Sequence, residues 1–243
     1  MKMKTYLQSI KSKFNRLMVF GCSHTLHGHF YDEPNSNLKA REFTAKGSWS
    51  DIVASEYGLS LDNHGRCASP NYWIYQRAIH ELESITDQTL VIVQWSYESR
   101  AVVKEDNNPI HSNLNHELAR PYYEKFYIED QEISKMLGWT LILSKLIPNF
   151  YFDFCDGSDH LRAHSPQAFA SVAQQPGYLG LFDGPFYSHK ICDQSTLYRC
   201  SHLNASGQQR LAQLYMTALS RKDQSLHIKG AKRLAVTHNA AKR

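Results

Sequence analysis

The sequence lacks any apolar run that approaches the roughly 20 residues a helix needs to cross a bilayer. Near its start, Gln8, Ser9, Lys11 and Lys13 interrupt the apolar residues, so no continuous stretch typical of a secretion signal is present. The five cysteines form no CxxC pair and are odd in number, which argues against a disulfide framework. These absences predict a soluble, cytoplasmic protein with reduced thiols and no membrane span.

Acidic residues are scarce at both ends of the chain. Residues 1–16 contain five Lys/Arg and no acid, and residues 221–243 contain seven Lys/Arg and one acid, within a net charge of +4. Basic ends could contact nucleic acid or anionic lipid, but the acidic middle argues against nucleic acid as the main partner. We expect a basic amphipathic segment over 1–16, one α/β domain over 17–220 and a flexible basic tail over 221–243.

Short apolar segments alternate with amphipathic ones along the chain. Segments with the composition of buried parallel strands lie at 17–20, 59–61, 89–93 and 150–154. Helical periodicity follows or separates them at about 48–58, 71–82, 122–146 and 205–219. Ser48 is the predicted N-cap of the first of these helices, and Gly58 is predicted to end it. This order predicts an α/β fold, a three-layer α/β/α sandwich around a flavodoxin-like parallel sheet. Ligands bind beyond the carboxyl ends of such strands, so we expect one active-site crevice there.

Two long segments, about 97–121 and 156–200, interrupt the alternation. The second carries apolar side chains among Gly and Pro turns, namely Tyr178, Leu181, Phe182, Phe186 and Tyr187. Long loops in compact domains are often functional. We therefore expect this segment to form a lid or substrate wall that shapes the choice of substrate.

Ser23 directly follows the first predicted strand, after Gly21 and Cys22. A hydroxyl there stands at the carboxyl edge of the sheet, where a following helix can supply backbone N–H groups to an oxyanion. Ser23 could equally be a structural helix N-cap, and Cys22 could act as a thiol nucleophile. His202 comes just before the last predicted helix, which Asn204 can start. An imidazole there suits proton transfer to and from a serine.

Four short blocks, spread over about 200 residues, read Gly-Cys-Ser-His-Thr at 21–25, Asn-His-Gly-Arg-Cys-Ala-Ser-Pro-Asn at 63–71, Val-Ile-Val-Gln-Trp-Ser at 91–96 and His-Leu-Asn-Ala-Ser-Gly at 202–207. In order, spacing and strand-end position they resemble the SGNH/GDSL hydrolase superfamily, in particular its compact bacterial and phage-type members. The resemblance implies a serine hydrolase that cleaves an ester or acetyl group through an acyl-enzyme. Ser23 would be the nucleophile and His202 the base and then the acid, with no cofactor and no metal.

The resemblance also implies an oxyanion hole formed by the Ser23 N–H, the Ala68 N–H and the Ser96 hydroxyl. The chain departs from the family at two of these positions. The glycine of the second block falls at Ala68, with Gly65 as a nearby alternative, and the asparagine of the third block falls at Ser96. A backbone N–H survives the first change if φ is compatible, and the second leaves a shorter donor.

The third member of a catalytic triad has no match in the last block. The family's aspartate, three residues before the histidine, falls at Arg199, and a guanidinium does not orient an imidazolium. Two hypotheses follow: a Ser–His dyad whose ring is held by a backbone carbonyl, or a carboxylate from the preceding segment, with Asp193 the nearest. The dyad is favoured because the chain would have to fold back to bring Asp193 to the ring.

Other histidines offer alternatives. His24, His27 and His29 have a spacing that could place two of them around a metal, although no acid or cysteine at ligand spacing completes a site. His160 and His164 could supply a rival base, but they lack the Asn, Gly and helix context of the last block.

Two other classes of function stay open. The altered family positions favour a non-catalytic or weakly active protein that binds a sugar or lipid in the crevice. The basic ends would suit a nucleic-acid-binding adaptor, the least favoured of the three classes. For a hydrolase, we expect a small-molecule, glycan or lipid ester as substrate.

Overall fold

The computed structural model describes residues 10–27, 44–67, 69–97, 99–102, 109–110, 123–125, 127–184, 186 and 202–240, without the side chains of 101–102, 109–110 and 223–240. The strands are β1 (Arg16–Gly21), β2 (Ser60–Gly65), β3 (Thr89–Trp95), β4 (Ala101–Val102), β5 (Pro109–Ile110) and β6 (Phe150–Phe154). The central sheet has the order β2-β1-β3-β6, and each neighbouring pair is parallel. Strands β4 and β5 form a separate antiparallel pair within the predicted loop at 97–121.

Helices cover both faces of the sheet. They are α1 (Trp49–Tyr57), α2 (Asn71–His80), α3 (Glu129–Leu146), α4 (Ser158–His164), α5 (Pro166–Ala173) and α6 (Ala205–Ala240). Because side chains alternate along a strand, Leu17 and Val19 pack on one face with α1 and α6. Met18 and Phe20 pack on the other face with α2, α3, α4 and α5. The predicted three-layer α/β/α sandwich with a flavodoxin-like sheet is therefore confirmed.

Local signals account for α1. The Ser48 side chain accepts a hydrogen bond from the Asp51 N–H at 3.3 Å, and Gly58 ends the helix with a φ of 64°. Both are the caps that the sequence predicts, and a positive φ is a conformation that glycine adopts without steric cost. Before β1, Ile10 and Phe14 are buried in the core, so the end of the predicted segment 1–16 packs on the domain.

Three boundaries differ from those predicted by more than two residues. Strand β2 runs on from the predicted 59–61 to Gly65, because its pairing with β1 continues through Gly21 opposite Gly65. Helix α3 begins at Glu129 and not near residue 122, since Ile128 before it has extended backbone. Helix α6 continues past the predicted end at residue 219 to Ala240. No helix within these described residues is both long enough and apolar enough to cross a membrane.

The segment after β6 is more regular than predicted. It contains α4 and α5, and its chain then returns alongside β6, where the Leu179 N–H donates to the Phe152 carbonyl at 3.0 Å. Gly177 is needed there because a Cβ would collide with the Phe150 carbonyl. Phe182 and Phe186 are buried in the core. The described part of 156–200 is therefore packed into the domain. Its helices were not predicted because they are short and are separated by turns.

Candidate active site

The turn after β1 presents Ser23 at the carboxyl edge of the sheet. A short 3-10 helix covers Ser23–Thr25, and its N-cap is Cys22, which makes no side-chain cap. The Thr25 hydroxyl donates to the Cys22 carbonyl at 2.6 Å and closes the turn. Ser23 is therefore not the N-cap residue, and its hydroxyl faces a different partner.

Two glycines make room for this turn. A Cβ on Gly21 would collide with the Thr25 side chain and lie 3.0 Å from the Gln94 carbonyl. A Cβ on Gly65, the residue paired with Gly21 on β2, would also collide with Thr25. Thr25 thus packs between two strand ends that only glycine can supply, a role the sequence analysis did not assign to it.

His202 approaches Ser23 from the start of α6. Its Nε2 lies 3.0 Å from the Ser23 Oγ, although the two residues are 179 positions apart, and both are buried. Asn204 starts the helix as predicted, because its Oδ1 accepts from the Gly207 N–H at 3.1 Å. The structure therefore brings together the two residues that the sequence analysis predicts as catalytic.

A buried glutamine fixes α6 relative to the serine turn. The Gln208 Nε2 donates to the Leu26 carbonyl at 3.0 Å, and its Oε1 accepts from the Trp49 N–H at 2.8 Å. Gln208 thereby ties the helix that follows His202 to both α1 and the residue after the 3-10 turn. A glutamine one turn into a helix belongs to no recognisable motif, so this link could not be predicted from the sequence.

His24 forms an uncharged wall beside His202. The two rings stack with centroids 5.4 Å apart, and Phe186 contacts the His24 ring at a centroid distance of 4.7 Å. Burial is the main cause that lowers the pKa of His24 to about 3, and the nearby imidazole of His202 acts in the same direction. His24 is therefore neutral at physiological pH and places an aromatic surface against the His202 ring.

Ser96 lies level with Ser23 on the neighbouring strand end. Phe20 of β1 pairs with Val93 of β3, so positions three residues further along each chain, 23 and 96, reach the same edge. Asn71 holds the Ser96 backbone from both sides, because its Oδ1 accepts from the Ser96 N–H at 2.7 Å and its Nδ2 donates to the Ser96 carbonyl at 3.1 Å. The Ser96 Oγ is buried and has no hydrogen-bond partner among the described residues.

The second block reaches the same edge through β2. The Gly65 N–H donates to the Asn63 Oδ1 at 2.7 Å, so it already has a partner within its own strand. The Asn63 Nδ2 donates to the Thr25 carbonyl and to the Ser50 Oγ, both at 2.8 Å. Ala68, the other predicted donor of this block, lies outside the described residues.

The thiol alternative places Cys22 in a different environment from Ser23. Its side chain is buried and shares a hydrogen bond with Cys155 at the end of β6. That hydrogen bond, together with burial, holds the pKa of the Cys155 thiol well above its ordinary value. Cys22 therefore contacts a second thiol, and Ser23 contacts the imidazole.

The predicted orienting acid cannot be placed. Asp193 and Arg199 both lie outside the described residues. A buried carboxyl does lie on β6, where the Asp153 Oδ2 accepts from the Leu181 N–H at 3.0 Å. Burial raises the pKa of Asp153 to about 8, so this carboxyl is mainly protonated at neutral pH.

The two histidine groups considered for other roles behave differently. His24 packs among rings, the backbone of His27 pairs with Thr44, and His29 lies outside the described residues. His160 and His164 lie on α4 with carboxylates of α3 beside them. Within the described ranges, only this second group offers a cluster of three potential metal ligands.

A groove of about 710 Å³ adjoins the second block. The Arg66 guanidinium lies over the Trp73 ring at 4.2 Å from its centroid, and the Arg77 Nε donates to the His64 Nδ1 at 3.1 Å. Gly65 and Ser69 also line the groove, and Gly65 packs against Thr25 of the serine turn. The groove thus combines an aromatic face with several hydrogen-bond donors.

Solved structures share this architecture. An acetyl xylan esterase (Est2A) from the rumen bacterium Butyrivibrio proteoclasticus is 11% identical over 86% of this chain and 64% of that chain, with a TM-score of 0.51. A member of the lipolytic protein G-D-S-L family from Veillonella parvula DSM 2008 is 13% identical over 85% of this chain and 98% of that chain, with a TM-score of 0.49. Neither protein-family models nor curated protein sequences yield a match.

The chain has an SGNH hydrolase-like fold. The resemblance stated from four short blocks is thus confirmed for the fold, and at this level of identity the likeness concerns the fold alone. In this SGNH-like arrangement the ends of β1, β2 and β3 bring the first three blocks to one edge, and α6 brings the fourth.

Proposed function

We propose that this protein hydrolyses an ester or acetyl group, with Ser23 as the nucleophile and His202 as the general base and acid. The observation that carries the proposal is the 3.0 Å contact between the Ser23 Oγ and the His202 Nε2. A nucleophile and its base within hydrogen-bond reach, at the carboxyl edge of a parallel sheet, are the geometric signature of an activated serine.

The proposed reaction has two steps, acylation of Ser23 and hydrolysis of the acyl-enzyme. With Nε2 unprotonated, the Ser23 hydroxyl donates to it, and its oxygen attacks the carbonyl carbon while the proton moves to Nε2. The tetrahedral intermediate collapses, the alcohol or amine leaves with that proton, and an acyl-serine remains. Water then attacks the acyl carbon, gives its proton to Nε2, and the carboxylic acid leaves as Ser23 recovers its proton.

The oxyanion is stabilised at the same edge. The Ser23 N–H, the Ala68 N–H and the Ser96 hydroxyl are the proposed donors. The buried Ser96 Oγ, which has no partner among the described residues, supports this role because such a group is costly unless a ligand satisfies it. Removing one donor of this kind raises a barrier by about 2.7–4 kcal/mol.

His202 works as half of a dyad in this proposal. The neutral ring of His24 stacks on it and limits its rotation. Asp193→Asn should then lower kcat/KM less than about tenfold, which corresponds to about 1.4 kcal/mol. A fall in kcat/KM of about ten-thousandfold, as expected when a triad carboxylate is lost, would contradict the dyad and would make Asp193 the third member of a triad.

The proposed substrate is a small-molecule or glycan ester, handled without a cofactor in the cytoplasm. The groove beside the second block supports a glycan, since Arg66, stacked on Trp73, and Arg77 line it and offer donors to hydroxyl groups. A panel of p-nitrophenyl esters and acetylated oligosaccharides, compared by kcat/KM, measures which acyl and alcohol groups are accepted.

A fluorophosphonate probe tests the proposal, because only an activated serine reacts with it. Wild-type protein and the Ser171→Ala control, which changes a serine on α5, should be labelled equally. Ser23→Ala should not be labelled, with its melting temperature nearly unchanged. Absence of labelling in the wild type, with sugar or lipid binding retained, would favour the non-catalytic alternative.

A further inference from the structure

Helices α3 and α4 cover the face of the sheet opposite α1 and α6, and they bring together side chains that suit a metal ion. Glu129 is the first residue of α3, and His160 and His164 lie one turn apart on α4. One donor atom from each of the three lies within 4.8 Å of the other two. Residues four apart on a helix share a face, which explains why both imidazoles meet the same carboxylate.

The distances fit a common ion. The Glu129 Oε1 lies 3.2 Å from the His160 Nε2 and 3.7 Å from the His164 Nε2. Nitrogen and oxygen ligands bind Zn²⁺ at about 2.0–2.2 Å in a tetrahedron, which separates neighbouring ligand atoms by about 3.4 Å. The separations seen here lie on either side of that value, so a small rotation of the side chains suffices to complete the coordination.

A second carboxylate orients one of the imidazoles. The Asp130 Oδ1 lies 3.0 Å from the His164 Nδ1, so that nitrogen carries the proton and donates it. The lone pair of the His164 ring then belongs to Nε2, on the side of Glu129. Histidines that bind metals almost always donate their other ring N–H to a carboxylate or carbonyl, and this pair has that arrangement.

We propose that Glu129, His160 and His164 form a binding site for Zn²⁺, with Asp130 orienting His164. Two imidazole nitrogens beside one carboxylate favour zinc over Mg²⁺ or Ca²⁺, which prefer oxygen-only sites. The side chains are about one third exposed, so water has access to the fourth position. The ion would join the start of α3 to α4 and stabilise α4, which directly follows the sheet edge that carries the candidate active site.

Calorimetric titration of the untagged, EDTA-treated protein with Zn²⁺ tests the site. The wild type should bind one ion that is lost in His160→Gln and in His164→Gln. His80→Gln is the matched control, because His80 is an exposed helical histidine that contacts Glu81 without a third ligand, and it should bind like the wild type. Asp130→Asn should weaken binding about 10–100-fold, as loss of an orienting partner does.

Two further measurements keep the result decisive. Circular dichroism and fluorophosphonate labelling should match the wild type in all variants, which separates loss of the metal from loss of the fold or of the active site. Co²⁺ bound to the wild type should give the visible bands of a tetrahedral site with nitrogen ligands, and Mg²⁺ should not displace it. Zn²⁺ binding of equal affinity and stoichiometry in the His160→Gln/His164→Gln double variant would overturn the proposal, as would absence of binding to the wild type.

Discussion

Two pairs of neighbouring histidines show how burial decides the chemistry of the same side chain. His24 and His202 stack in the interior with centroids 5.4 Å apart, next to a hydroxyl and to aromatic rings. His160 and His164 stand partly exposed with centroids 4.7 Å apart, next to two carboxylates. In the proposed mechanism His202 of the interior pair exchanges a proton with Ser23, and in the proposed metal site the two histidines of the exposed pair share a cation.

The difference follows from the cost of burying charge. An ion moved from water into a protein interior loses several kcal/mol of solvation unless a partner compensates it. Burial accordingly keeps His24 neutral, with a pKa of about 3. At the surface, water screens and solvates both signs, so imidazoles and carboxylates can gather at little cost.

The largest expected effect comes from breaking the contact between His202, a member of the interior pair, and Ser23. We expect Ser23→Ala and His202→Ala each to lower kcat/KM for an ester by several hundredfold or more, because each removes half of one proton-transfer unit. Residues that act as a unit are not additive. The double variant should therefore be no slower than the slower single variant, within a few-fold. Steady-state kinetics on all three variants measures this, and full additivity would contradict a coupled pair.

Placing a lysine in each pair compares the two environments directly. We expect His24→Lys to lower the free energy of unfolding by about 3–5 kcal/mol, because it buries a charge without a partner. His164→Lys, beside Asp130, should change it by less than about 1 kcal/mol. His24→Phe is the control for shape and should cost less than about 1.5 kcal/mol. Urea unfolding measures all three, and equal costs for the two lysines would contradict the burial argument.

A smaller effect is expected on the pH dependence of stability, to which the buried Asp153 should contribute and the exposed Asp130 should not. Between pH 6.5 and 8 the folded protein holds a proton on Asp153, whose pKa is raised to about 8, and the unfolded carboxyl has released it. Stability should therefore fall as pH rises through this window, by up to about 1.4 kcal/mol per pH unit. The neutral His24 has the opposite sign but acts only below its ordinary pKa of about 6.5.

Asp153→Asn should remove this slope and keep the acceptor for the Leu181 N–H. Asp130→Asn, at the surface, should leave the slope as it is in the wild type. Unfolding free energies of the wild type and both variants, measured at several pH values from 6.5 to 8, test these slopes. A slope that is the same in Asp153→Asn and the wild type would show that another group is responsible.

The smallest expected effect is on the stability of the metal-free protein when a histidine of the exposed pair is replaced. We expect His160→Gln to change the free energy of unfolding of the EDTA-treated protein by less than about 1 kcal/mol, because it removes only a partly exposed ion pair. With saturating Zn²⁺ the difference between wild type and variant should grow, since the ion binds the folded state. Thermal melts with and without Zn²⁺ measure both differences, and equal differences would contradict a metal site.

Much of the fold could be predicted because its signals are local. The apolar runs of β1 and β3 predicted buried parallel strands, and Ser48 and Gly58 predicted both ends of α1. The region after β6 was harder, since α4 and α5 have only 7 and 8 residues and cover two turns each. Segments this short carry too few periodic positions to be distinguished from a loop.

The candidate site was predictable only in part. Ser23 and His202 were found because each stands at the end of an element and within a recognisable block. Asn71 and Gln208 were missed as links, because a side chain that holds a distant backbone leaves no pattern in its own neighbourhood. The orienting acid, whether Asp193 or none, stays a prediction.

The sequence by itself determined the alternation of strands and helices, the caps, and the chemistry available at positions 23 and 202, since these depend on neighbours in the chain. Only the tertiary structure decided which distant groups meet. It placed His202 against Ser23, left His24 neutral beside it, and gathered Glu129, Asp130, His160 and His164 at the surface. Partner choice and burial are set by packing across the whole fold, and burial fixes whether a histidine carries charge.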